Sequence, residues 1–159
     1  MKKIAIVSIT FLYMLFAKQS SAQRLSILPF EDLRKMYEVS NDTTYIVHFF
    51  ASWCAPCMKE LPIILEFEKT HAADLLKIIY VSLDEVSAYK KSLLPMLKKF
   101  QFNSTVVLIK ETDVNTWIPK IDQNWSGVIP ANFVINTAKN YKVFKAGILD
   151  KNELNGFLK

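Results

Sequence analysis

The chain has 159 residues, half of them apolar and 22% charged, with three glycines and a formal charge of +5. That length and composition fit one globular domain with an ordinary core, and exclude a low-complexity or collagen-like chain. Of the +5, three units belong to Lys2, Lys3 and Lys18 near the N-terminus; the +2 left elsewhere is too mild a field to argue for nucleic acid as a partner.

The first 22 residues read as a leader. A basic start (Met1, Lys2, Lys3) is followed by an apolar run over 4–17 and by the small residues Ser20, Ser21 and Ala22. These are the three parts of a secretory signal peptide, with cleavage expected before Gln23. The run is shorter than the roughly 20 residues that span a bilayer, so no stable membrane insertion is expected after cleavage. Export, most naturally to a bacterial periplasm, would put the chain where disulfides persist. Asn41, Asn103 and Asn124 open Asn-x-Ser/Thr triplets, a spacing that arises easily by chance.

The mature part, residues 23–159, then alternates strand and helix signals. Residues 29–38 carry Phe30, Leu33, Met36 and Tyr37 at helical spacing. Residues 44–50 (TYIVHFF) are β-branched and aromatic and read as a buried strand. A helix is expected over about 54–70, with Cys57, Leu61, Ile64, Leu65 and Phe67 on its apolar stripe, and a second buried strand over 77–83 (KIIYVSL). Strand, helix and strand make a parallel, right-handed crossover. Residues 86–100 read as a helix bent or ended by Pro95, with Lys90, Lys91, Lys98 and Lys99 on a solvated face. A short strand over 105–109 and a short helix over 113–121 follow. ANFVIN (131–136) and YKVFKA (141–146) form an antiparallel hairpin, and Asp150 with Glu153 makes a capping box for a last helix facing inward through Leu154, Phe157 and Leu158.

The chain's two cysteines, Cys54 and Cys57, sit three apart in FFASWCAPCMKELP (49–62). A staple across so short a loop stabilises little, so the pair calls for chemistry. At a helix N-terminus Cys54 meets unpaired N–H groups and the positive end of the helix dipole, which lower a thiol's pKa. Cys54 is expected to be the exposed, attacking sulfur. Cys57, one turn in and facing the core, would resolve the mixed disulfide. Trp53 offers a flat apolar neighbour, Pro56 stiffens the loop where helices tolerate proline, and Pro62 lies inside the helix.

FFASWCAPCMKELP resembles the active-site strand, loop and helix of the thioredoxin superfamily, and more narrowly the TlpA/ResA-like extracytoplasmic thiol–disulfide oxidoreductases. The W-C-x-P-C core, Glu60 and Pro62 carry that likeness, together with WSGVIP (125–130) ahead of the ANFVIN strand. The resemblance covers about 29–159. It implies an α/β, thioredoxin-like fold: a central mixed sheet flanked by helices on both faces. It implies a cis peptide bond before Pro130, with Pro130 facing the cysteine pair and Ile129 presenting its backbone to a substrate strand. It also implies a reductant of exported thiol proteins such as apocytochrome c, resupplied by a membrane thiol carrier, with the redox-active disulfide in place of any cofactor. An oxidase or isomerase, and a redox-inert binding module of the same fold, are the alternatives.

Two positions depart from the pattern. His48 stands where thioredoxins proper carry a buried acid, and a neutral imidazole there could take the Cys57 proton or be an ordinary core histidine. Ala131 replaces the threonine common after the cis-proline. Glu60, one turn beyond Cys57, could act on its proton or be a solvated helix residue. A metal site from the cysteines with His48 and His71 is disfavoured, because His71 falls about 20 Å along the helix.

Overall fold

The computed structural model describes residues 25–158, so the expected leader and cleavage site lie outside the described residues. Six strands form one sheet in the order β1-β4-β3-β2-β5-β6: β1 (Leu25–Leu28), β2 (Thr44–Phe50), β3 (Leu76–Ser82), β4 (Val106–Ile109), β5 (Ala131–Asn136) and β6 (Tyr141–Ala146). β1, β4, β3 and β2 run parallel; β5 pairs antiparallel with β2, and β6 antiparallel with β5. The mixed α/β sheet expected from the sequence is the one observed.

β2 and β5 are buried at every position. Strands covered on both faces read as continuous apolar runs, which is why both are plain in the sequence. Alternation sends Ile46 and Phe50 to one side and Tyr45, Val47 and Phe49 to the other. On the first side pack α2 (Ala55–Thr70), α3 (Leu93–Phe100) and α5 (Lys151–Gly156), through Cys57, Leu61, Ile64, Phe67, Leu93, Leu97 and Leu154. On the second lie α1 (Phe30–Tyr37) and α4 (Ile118–Ile121), through Phe30, Leu33, Tyr37, Trp117 and Ile118. The edge strand β6 keeps Lys142 exposed, a charge that discourages edge pairing.

The helix expected over 86–100 is shorter in the structure. Residues 85–92 make successive turns, and α3 begins at Leu93 with Pro95 in its first turn. Pro95 has no N–H for the Lys91 carbonyl and its ring crowds that oxygen, so the helical ladder cannot run through it. Likewise 113–121 divides into a 3₁₀ turn (Val114–Thr116), opened by the Asp113 carboxylate accepting from Asn115 N–H, and α4 with Pro119 in its first turn. β1, four residues long, was not expected from the sequence at all. The hairpin and the Asp150–Glu153 capping box are both present. Leu154 is buried, and Phe157 and Leu158 are half-buried.

Candidate active site

β2 runs into the loop Ala51–Trp53 and then into α2. Cys54 is the N-cap of that helix, with extended backbone, and Cys57 lies one turn in. The two are joined in a disulfide with Cα atoms 5.3 Å apart. Cys57 N–H points at the Cys54 sulfur at 3.3 Å. The loop before β5 frames this corner. The Ile129–Pro130 bond is cis, as the resemblance implied. The Ile129 carbonyl oxygen stands 3.8 Å from the Cys54 sulfur, and the Pro130 carbonyl accepts from Gly147 N–H at 2.8 Å. Gly127 reaches the bend with φ +85°, a left-handed conformation, and a Cβ there would come within 3.2 Å of Ile118 Cδ1.

The site differs from expectation in what it exposes. Cys54 is only 4% exposed in the disulfide, whereas Trp53 is 69% exposed. Docking its sulfur against the Ile129 carbonyl and the start of α2 covers it. Trp125, the first residue of WSGVIP, is buried. Its indole N–H donates to the Val128 carbonyl at 2.9 Å and its ring packs 4.7 Å from Phe49. Exposed apolar side chains flank the site's residues in the chain instead: Trp53 precedes Cys54, Val128 precedes Ile129 and Ile148 precedes Leu149.

Beneath the disulfide lies a buried polar group. Glu60, one turn after Cys57, is fully buried, and its Oε1 accepts from Leu149 N–H at 2.7 Å. Burial pushes its carboxyl up to about 7, against the opposing pull of the Leu149 N–H, the Asn132 amide and Lys145. His48 is also fully buried, stacked on Phe50 and edge-on to Tyr80. Its Nδ1 lies 2.8 Å from Asn132 Oδ1. Burial pulls the imidazole down to about 4, so it is neutral at physiological pH.

Two residues that the sequence reading passed over help build the site. Asn132 faces His48 across the β2–β5 ladder. An amide in the middle of an apolar buried strand, paired with the strand that carries His48, was its signal. The other is Asp84, buried just past β3. Its carboxylate accepts from Ser52 N–H at 2.8 Å, from the Ser52 hydroxyl at 2.5 Å and from the Ser82 hydroxyl at 2.7 Å. A carboxylate with that many donors anchors the loop two residues before Cys54. Ser-Leu-Asp shows the local Ser82 contact but nothing of the reach to Ser52, 32 residues earlier in the chain.

A family model described as thioredoxin-like matches residues 41–142. The chain belongs to that thioredoxin-like family. Its curated relatives include sporulation thiol-disulfide oxidoreductase A of Bacillus subtilis (strain 168), 27% identical over 109 residues, or 69% of this chain and 62% of that protein. They also include the chloroplastic thioredoxin Y2 of Arabidopsis thaliana, 22% identical over 120 residues, or 76% and 62%. The chain therefore spans under two thirds of the length of each of these relatives. Among solved structures, StoA from Bacillus subtilis superposes with a TM-score of 0.54 at 26% identity, covering 75% of this chain and 84% of that one. A thiol:disulfide interchange protein from Chlorobium tepidum TLS superposes with a TM-score of 0.61 at 25% identity, covering 74% and 78%.

Proposed function

We propose that the protein is a thiol–disulfide oxidoreductase that reduces disulfides of exported proteins through Cys54 and Cys57. The observation that carries this reading is the disulfide at the N-terminus of α2, facing a cis-proline loop and underlain by a buried carboxyl. Relatives named as thiol–disulfide oxidoreductases support it, and the leader-like pattern of residues 1–22, with its apolar run over 4–17, supports an exported, periplasmic site of action.

In the reduced enzyme the Cys54 thiolate, favoured by Cys57 N–H and the end of α2, attacks a substrate disulfide. A mixed disulfide forms, and the released substrate thiolate takes a proton from water. Cys57 then loses its proton, attacks the Cys54 sulfur, and frees the second substrate thiol. Two electrons pass to the substrate and the enzyme is left as the Cys54–Cys57 disulfide. Glu60 suits the proton-acceptor role because its carboxyl is tuned near neutral pH. His48 suits it less, because its imidazole holds a proton only well below neutrality. Trp53, Ile129 and Pro130 form the platform for the substrate strand. A membrane thiol carrier would restore the dithiol.

The direction of exchange is tested by the equilibrium potential of the Cys54–Cys57 couple against a thiol buffer at pH 7. A reductant is expected below about −230 mV, toward the thioredoxin value. A potential above about −160 mV would mark an oxidase or isomerase and overturn the reductive reading.

A further inference from the structure

The buried groups under the disulfide form a chain whose middle member has no role in the mechanism above. Alternation along β2 places His48 between Ile46 and Phe50, on the α2 face, and alternation along β5 places Asn132 on the same face as Val134. Asn132 and His48 are register partners, and the Asn132 carbonyl oxygen meets His48 Nδ1 at 2.8 Å. Asn132 is itself fully buried. Its amide nitrogen and the second oxygen of Glu60 are both buried, and among the described residues neither makes a hydrogen bond. The amide nevertheless stands close enough to Glu60 to favour its charged form.

A buried neutral imidazole carries one N–H and one bare nitrogen. With Asn132 Oδ1 against Nδ1, the proton sits on Nδ1 and is donated to the amide oxygen. Turning the amide over would need the other tautomer, with its N–H on Nε2, which is buried and has no partner among the described residues; the observed orientation avoids that unpaired donor. The NH₂ end is thereby held toward Glu60. We infer that Asn132 is a positioning residue for the thiol chemistry: locked by His48, its amide steadies the Glu60 carboxylate that receives the Cys57 proton. His48 then acts by orientation and not by proton transfer. This rests on the oxidoreductase reading for its purpose, though not for its geometry.

The groups facing Glu60 are few. They are Asn132 on β5, Lys145 on β6, the Leu149 N–H before α5, and the cysteine pair on its own helix, with His48 on β2 reaching it through Asn132. Lys145 is ion-paired with Glu153. In the disulfide form the cysteines do not titrate, so the Glu60 carboxyl can be followed alone.

The test is carbon-13 NMR of the glutamate carboxyls of the oxidised protein against pH. The wild-type Glu60 midpoint is expected near 7. Asn132→Leu should raise it by about one pH unit, a tenfold loss of carboxylate at a given pH below the midpoint. His48→Leu, which keeps the amide but unlocks it, should raise it by less. His48→Gln can donate to Asn132 Oδ1 and should restore the wild-type midpoint. A residue that merely filled space would not discriminate the two His48 variants, which also carry the test should Asn132→Leu fail to fold. Equal midpoints in His48→Leu and His48→Gln, or an ordinary carboxylate midpoint in the wild type, would overturn the inference. Failure of the wild type to reduce any protein disulfide would instead overturn the oxidoreductase reading and leave these midpoints as they stand.

Discussion

The two faces of the sheet are built from the same strands and differ in what they bury. Toward α1 the core is aromatic: Phe30 stacks on Trp117 at 5.5 Å, and Phe49 and Phe144 lie 4.7 Å and 5.3 Å from Trp125. Toward α2 the same alternation puts His48 and Asn132 into the interior, where α2 itself buries Glu60. Burying polar groups costs free energy unless they are paired. One atom of each member of that trio is nonetheless unpartnered among the described residues. The first face leaves one such atom unpartnered among the described residues, Trp117 Nε1, against three on the second, so the second gives up more stability to its polar groups.

Breaking the second face at its centre should give the largest effect. Cys54→Ser removes the attacking sulfur and is expected to abolish turnover of a protein disulfide. Cys57→Ser leaves the attack but not its resolution, so the enzyme should accumulate as a mixed disulfide. Non-reducing electrophoresis against a disulfide client checks both. A Cys57→Ser protein that turns over normally and traps nothing would remove Cys57 from the resolving role.

On the first face the expected loss is in stability. Trp117 is fully buried between Phe30, Phe49 and Trp125, and Trp117→Ala should cost about 3–5 kcal/mol in denaturant unfolding. The rate per folded molecule should stay near wild type, since Trp117 belongs to the core on the α1 side and the cysteines to the core on the α2 side. A small stability loss with a large rate loss would mean that the division of labour between the faces is wrong.

Much of this was legible in the sequence because burial on both faces writes itself as apolar runs. TYIVHFF, KIIYVSL and ANFVIN announced β2, β3 and β5, and the spacing around Cys54 placed α2. The short edge strand β1 has too few residues for a pattern. The turns over 85–92 read as helix because their apolar spacing is helical, and only Pro95 argued otherwise. At the site, the cysteines, Pro130 and the buried His48 could be read directly. The covering of Cys54 and Trp125 could not, because both depend on how the loop before Pro130 folds back onto α2 and β2. Asn132 and Asp84 work through partners distant in the chain, and no local signal encodes such a meeting.

The subtlest contrast lies within the polar trio, in how stability of the oxidised protein depends on pH. His48 is held at about 4 in the fold against 6.5 in an unfolded chain, so between those values the unfolded state binds the extra proton. Its contribution is in place above 6.5 and is lost as pH falls toward 4. Glu60 is held at about 7 against 4.5, so there the folded state binds the extra proton. Its contribution is in place below 4.5 and is lost as pH rises through 7. The windows overlap and the signs oppose, so the two dependences offset each other in the wild type. Removing either partner should expose the other. Relative to wild type, His48→Gln should lose stability with rising pH across roughly 4 to 6.5, and Glu60→Gln should gain it across roughly 4.5 to 7. Denaturant midpoints at several pH values, with the disulfide kept intact, measure both slopes. Two variants that track the wild type in parallel would show that neither group titrates differently in the fold, and that the polar face is no more tuned than the aromatic one.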